Sequence, residues 1–447
     1  MVNAAQIESP KSVNRRIFTA TLTVGAFTAL AKLAGGAKVI VMARYFGTSD
    51  ALDAFLIAFV LPSFVADTAA VALIASLLPT FIETRQRYGM AAAQRLYGSA
   101  LAGGVFFLSA LAIAFALSAN WVLPLIGSGF TGPKLALTRS LFYCLLLWLP
   151  ISGFIVAWRA VLNAGEQFAL PAAAPIATPL ITIALLVIPG MLSGAWALAL
   201  GTVFGVLCEA LLLGFAIRAG GYSVAPRWGG WSPELRTVLN QYLPVAAASV
   251  IVGGASLIDQ GMAARLGAGS VSALVYGGKL VTVMLAVASA SLGTAMLPHF
   301  SQMIVSRDRR GLRHTVLTYA GVVVVISIVT ICAAWWLSQP IVRIAFQRGA
   351  FSGAQTQLVA TIQRYSLLQI PFAVLLGMGV RLASSLKANR LMLETAVLSV
   401  SVNIFADVFL MRWLGIPGIA LADSVVYAVA LSYLSWMLIR RVRNEVL

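Results

Sequence analysis

Twelve apolar runs, each long enough to cross a bilayer, occupy nearly the whole of this 447-residue chain. A hydrocarbon layer of about 30 Å is crossed by about 20 helical residues. Lipid offers no partner for an open backbone amide, so each run must satisfy its own hydrogen bonds as a helix. Spans are expected at 17–42, 51–82, 93–125, 136–162, 168–191, 194–217, 238–264, 271–298, 314–338, 355–386, 391–412 and 416–439. With 60% hydrophobic and 10% charged residues, the composition is not that of a soluble domain. The alternation of a membrane barrel is absent. The expected fold class is an all-α integral membrane protein with about 12 transmembrane helices.

The longest connection, Arg218 to Arg236, holds Gly220, Gly221, Pro226, Gly229, Gly230 and Pro233. It is expected to part a six-helix lobe at 1–218 from another at 237–447, with 219–236 as a cytoplasmic linker. Three motifs recur at offsets between 219 and 224 residues: Ala43-Arg44 with Ala264-Arg265, Leu78-Pro79 with Leu297-Pro298, and Leu162-Asn163-Ala164 with Leu386-Lys387-Ala388. A duplicated unit of six helices gives two pseudo-symmetric lobes in one orientation around a central cavity.

An even helix number puts both termini on one side. The segments on that side carry 19 of the 31 Lys and Arg residues, against 7 on the other. This excess places both termini in the cytoplasm. The net charge of +17 therefore reads as topology signal and contact with phospholipid headgroups, not as a nucleic-acid surface. Cys144, Cys208 and Cys332 lie within apolar runs without a CxxC pair, and His299 and His314 are too few for a histidine-rich metal site. The first 16 residues are polar and basic, and the run after them exceeds a signal-peptide core, so the first helix is expected to be retained.

Five basic residues fall inside spans, away from the span ends that are counted with the connections: Lys32, Lys38, Lys279, Arg364 and Arg381. A lysine at mid-membrane costs about 2.5–3.5 kcal/mol, so two on one helix call for a polar cavity or an anionic partner. Lys32 and Lys38 lie about 9 Å apart along a helix and about 120° around it, so both can line one broad wall. The Gly35-Gly36 pair between them permits a bend or a close helix approach. Electrostatic capture of a phosphate or pyrophosphate is the functional reading; snorkelling, or structural pairing with Asp67 or Asp259, is the plain one. Asp67 is suited to neutralise a lysine in the empty state or to take a coupling proton or cation. Asp259 and Lys279 form a second possible pair.

Asp53, near the outer interface, reads as structural, as does Arg381 near the end of its span. Arg44 and Arg364 are further candidates, and Glu209, Asp407 and Asp423 read as helix contacts. Pro171, Pro175 and Pro179 recur every four residues and predict a bent fifth span, either a hinge or a tolerated kink. There is no Walker loop, HExxH or nucleophile elbow, so a transporter is expected rather than an enzyme. No catalytic residue, metal or cofactor is expected, and no coupling ion is assigned.

These residues reach a known pattern. Ala43-Arg44-Tyr45-Phe46-Gly47, Asp53-Ala54-Phe55, Leu61-Pro62, Phe168-Ala169-Leu170-Pro171-Ala172, Arg348-Gly349-Ala350-Phe351 and Gly415-Ile416-Pro417-Gly418-Ile419-Ala420-Leu421-Ala422 occur in this order. The chain resembles the MurJ/MviN flippases of the MOP transporter superfamily over nearly its whole length. The resemblance implies a flippase for undecaprenyl-pyrophosphate-linked saccharides such as lipid II, working by alternating access in the bacterial inner membrane as a monomer, with the lipid-linked substrate and membrane phospholipid as its partners.

Departures from the family pattern accompany the resemblance. Where the family's first helix usually carries two arginines, the second followed by aspartate, this chain has Lys32, Lys38 and Val39. Ala66-Asp67 replaces an arginine after the Leu-Pro of the second span, and Gln260 stands at the family's basic position on span seven. Lysine lacks arginine's bidentate fork. Family members typically have fourteen helices, against the twelve expected here, which leaves the path of the lipid tail open and makes an exopolysaccharide precursor a rival to lipid II. Outside this reading stand a cation-coupled multidrug exporter of the same superfamily, which needs an acidic cavity, and a non-transporting scaffold or membrane glycosyltransferase.

Overall fold

The computed structural model describes residues 10–188, 194–306, 309–386 and 388–445. The start of the chain, the last residues of the fifth expected span and Lys387 of the third repeated motif lie outside the described residues. Fourteen α-helices and no strand are present among the described residues: α1 (Pro10–Phe46), α2 (Asp50–Ile126), α3 (Gly132–Leu145), α4 (Trp148–Ala164), α5 (Ala169–Ala173), α6 (Ala177–Val187), α7 (Ala195–Ala219), α8 (Pro233–Ala263), α9 (Ser270–Val305), α10 (Arg309–Phe346), α11 (Gly353–Leu367), α12 (Ile370–Ser385), α13 (Asn389–Leu414) and α14 (Ile416–Glu445).

Eleven helical segments among the described residues are long and apolar enough to cross a membrane. The expected spans 51–82 and 93–125 both fall on α2, whose 77 residues would reach about 115 Å if straight, several times the hydrocarbon thickness. Gly89 breaks it, with φ 80° and ψ 177°, a conformation open to glycine and costly for other residues. The expected fifth span is interrupted as its prolines require. A 3-10 turn at Ala174–Ile176 separates α5 from α6, since Pro175 and Pro179 have no amide to donate to the ladder.

The chain forms two compact units. The first comprises residues up to Val41, Pro62–Ala119 and Ser140–Ala246; the second comprises Met42–Leu61, Asn120–Arg139 and the chain from Ala247. In the first unit Phe81, Tyr97, Trp158, Leu162, Leu213 and Ile217 make the main core. There α6 and α7 approach closely. A Cβ on Gly205 would lie 2.4 Å from the Thr178 Cα, and one on Gly201 would lie 2.7 Å from that of Thr182. This small-residue spacing lets backbones meet where lipid supplies no hydrophobic drive.

In the second unit Ile57, Phe130, Met262, Val271 and Ile419 pack together, and α13 lies along α14. Large apolar side chains point outward from both units, among them Phe215 at 77% exposure and Trp336 at 83%, as bodies facing lipid require. Gly35 and Gly36 have no neighbour within reach of an added Cβ, and α1 runs through them unbroken. The close helix approach that this pair permits is not made among the described residues. Both glycines sit on open stretches of the helix.

Candidate functional site

The second unit contains a wholly buried carboxylate with complete satisfaction. Ser49 caps α2 by accepting from the Leu52 amide at 3.4 Å, which sets Asp50 and Asp53 in the first helical turn. Asp53 has no exposed surface. Its Oδ2 accepts from the Gly269 amide at 2.7 Å and its Oδ1 from the Ser272 amide at 2.9 Å. Asp53 thus caps the amino end of α9, where unpaired amides and the helix dipole favour an anion. Lys134 Nζ lies 3.0 Å from Asp53 Oδ2 and 2.5 Å from Asp50 Oδ1, over the Phe130 ring at 3.9 Å. Gly269, at φ 77°, leaves room for the Thr48 carbonyl, which an added Cβ would approach to 2.7 Å.

The same end of this unit carries further ties. Arg265 Nε donates to Ser128 Oγ at 2.7 Å. The side chain of Arg44 is exposed, while its carbonyl accepts from the Ala350 amide at 2.8 Å and so holds the loop Arg348-Gly349-Ala350-Phe351. A cavity of about 550 Å³ opens beside the capping group, lined by Asp50, Thr131, Lys134 and Gly267 among others.

A second polar cluster of this unit gathers three aspartates. Asp259 on α8 accepts from Asn403 Nδ2 of α13 at 3.0 Å. Asp407, one helical turn after Asn403 and fully buried, and Asp423 on α14 both feel the charge of Asp259. Gln369 donates to Asp423 at 3.5 Å. Among the described residues no group of three His, Cys, Asp or Glu side chains is disposed to hold a metal ion. The other candidates of this unit are dispersed. Gln260 donates to Ser256 Oγ at 3.2 Å, Arg364 to the Trp335 carbonyl at 3.2 Å, and Arg381 to the carbonyls of Gly377 and Ser289 at 3.0 and 2.9 Å. Lys279 is exposed on α9.

In the first unit Lys32 is exposed on α1 and Lys38 is half-buried six residues further on. Asp67, exposed on α2, feels the positive charges of Lys32 and Arg159. Arg159 on α4 donates from Nη2 to Oε1 of the buried Glu209 on α7, an ion pair that ties these helices. The sequence alone does not single out Lys134, Arg159, Asn403 or Gln369. The first two stand near span ends among the basic residues of the connections, and the two amides carry no charge to mark them. The one available signal was the helical spacing of Asn403 and Asp407 on a single face.

The fold is shared with solved transporters. An inward-closed structure of the lipid II flippase MurJ superposes with a TM-score of 0.79 at 20% identity, covering 93% of this chain and 87% of that one. An inward-facing multidrug resistance transporter of the MATE family superposes at 0.73 with 15% identity, over 94% of this chain and 97% of that one. The helices of this chain thus share the fold of these membrane transporters. The sequence narrows the class further. The chain belongs to the family described as lipid II flippase MurJ, whose profile matches residues 42–446. The lipid II flippase MurJ of Burkholderia cenocepacia is 26% identical over 361 residues, which are 77% of this chain and 68% of that protein. Family and apolar helices together make this a multi-pass protein of the bacterial inner membrane.

Proposed function

We propose that this chain flips an undecaprenyl-pyrophosphate-linked saccharide, lipid II or a related cell-wall or exopolysaccharide precursor, by alternating access. The family match over residues 42–446 carries this reading. The intramembrane cations support it: Lys32 and Lys38 stand on one apolar helix of the first unit, where a diphosphate would offset the cost of their charge. Lysine acts here as a point charge on a flexible stem, suited to a group that must be bound and then released. No bond is made or broken, so the protein acts as a carrier and not as a catalyst. Both termini face the cytoplasm on the charge bias of the connections.

Reconstituted protein supplied with fluorescent lipid II, with an exopolysaccharide precursor and with a cationic drug tests the proposal. Movement of a lipid-linked saccharide to the far leaflet, chemically unchanged, supports it. Transport of the cationic drug alone would replace it with the exporter reading, which the paired lysines oppose.

A further inference from the structure

The linker between α7 and α8 is not slack chain. It is strapped to the second half of α2 at four points. Gln94 donates to the Gly221 carbonyl at 3.4 Å and Tyr97 to that of Ser223 at 2.8 Å. Ser99 Oγ accepts from the Gly229 amide at 3.0 Å and donates to the Gly230 carbonyl at 3.5 Å. Gly98 leaves no room for a side chain, because a Cβ there would meet the Arg227 carbonyl at 2.8 Å. Tyr222 packs its ring edge-on against Tyr97, with centroids 6.1 Å apart. A loop fixed at so many points presents its remaining side chains in set positions.

Those side chains include two indoles and the Arg227 guanidinium, and a second guanidinium, Arg218, stands in the last turn of α7 where the loop begins. Trp228 and Trp231 pack edge to face at 5.6 Å, yet remain 53% and 73% exposed. Arg218 and Arg227 line a cavity of about 490 Å³ together with Gln94 and Tyr222. Neither arginine has a carboxylate within ion-pair distance among the described residues. From Arg218 through Arg236 the sequence holds three arginines, the two ends included, and one acid, Glu234. The loop joins the last turn of one apolar span to the first turn of the next, so it lies where the chain leaves the hydrocarbon. Indoles favour that depth, with the ring at the headgroup boundary, and arginines beside them meet phosphate.

We propose that this strapped loop is a binding site for anionic phospholipid, with Trp228 and Trp231 seated at the acyl boundary and Arg218 and Arg227 holding the headgroup phosphate. The site belongs to the first unit alone and does not depend on which saccharide is carried. It anchors the loop to the leaflet and favours phosphatidylglycerol over phosphatidylcholine, because a zwitterionic headgroup cancels the attraction of the two guanidiniums.

Tryptophan quenching in nanodiscs tests the site. The chain has 10 tryptophans, so the emission lost in a Trp228→Phe/Trp231→Phe variant defines the contribution of the pair. Phosphatidylglycerol or phosphatidylcholine, each brominated high on its acyl chains, is added at equal mole fraction. The proposal expects both lipids to quench the pair, phosphatidylglycerol the more strongly. An Arg218→Gln/Arg227→Gln variant is expected to lose that difference while quenching by phosphatidylcholine stays unchanged. Equal quenching by the two lipids in the unaltered protein would overturn the headgroup site. Absence of quenching by either would overturn the placement of the indoles in the membrane, and a preference that survives loss of both arginines would remove them from the site.

Discussion

Lys134 holds its ammonium 3.0 Å from Asp53, a carboxylate with no exposed surface that also receives two amides from the start of α9. The arrangement links the first turn of α2, the first turn of α3 and the amino end of α9 through one side chain. Removing one member of a buried pair leaves the other uncompensated, at about 3–5 kcal/mol. Asp53→Ala is therefore expected to lower the thermal unfolding midpoint in detergent clearly. Lys134→Met, which leaves Asp53 its two amide donors, is expected to cost less, about 1–3 kcal/mol. Equal midpoints for Asp53→Ala and the unaltered protein would show that the cap contributes nothing to the fold.

The α6–α7 contact makes a steric prediction. With Thr178 at 2.4 Å from a Cβ on Gly205, Gly205→Leu has no space without moving a helix. Overpacking of this kind costs about 1–3 kcal/mol or more. Gly36→Ala meets nothing within 4 Å and stays neutral or gains slightly from helix propensity. Yield of monodisperse protein and the unfolding midpoint should separate the two variants. Similar behaviour of both would contradict the close approach.

The Arg159–Glu209 pair ties α4 to α7 with Glu209 buried. Arg159→Met or Glu209→Leu alone strands a charge in a low-dielectric site, whereas the double change removes both. A double-mutant cycle on unfolding free energy is expected to show the double variant more stable than either single one. Additive losses would mean that the two residues act separately.

What could be seen in the sequence follows from the range of the forces involved. Span positions were legible because helix formation in lipid is a local demand on about 20 consecutive residues. The break at Pro175 was legible for the same reason, since a missing amide acts within one turn. Lys134 and Asp53 are 81 residues apart and Arg159 and Glu209 are 50 apart, so their pairing depends on which helix faces meet. Composition placed Lys134 and Arg159 among the topology signals, and only packing shows their partners. The acidic residues Asp259, Asp407 and Asp423 were each visible as intramembrane charges, but their convergence with Asn403 needed the fold. The Gly35-Gly36 pair shows the converse: a sequence that permits a close contact does not make one.

In the proposed function the amines of α1 hold the anionic head of a lipid-linked saccharide. Lys32 is exposed and Lys38 half-buried, so replacing both with glutamine is expected to leave insertion and folding intact. The deciding measurement is the rate at which the Lys32→Gln/Lys38→Gln protein, reconstituted at the same density as the unaltered one, moves fluorescent lipid II between leaflets. The account predicts a fall to the background of protein-free vesicles with an unchanged unfolding midpoint. Unchanged flipping by a normally folded double variant would contradict it.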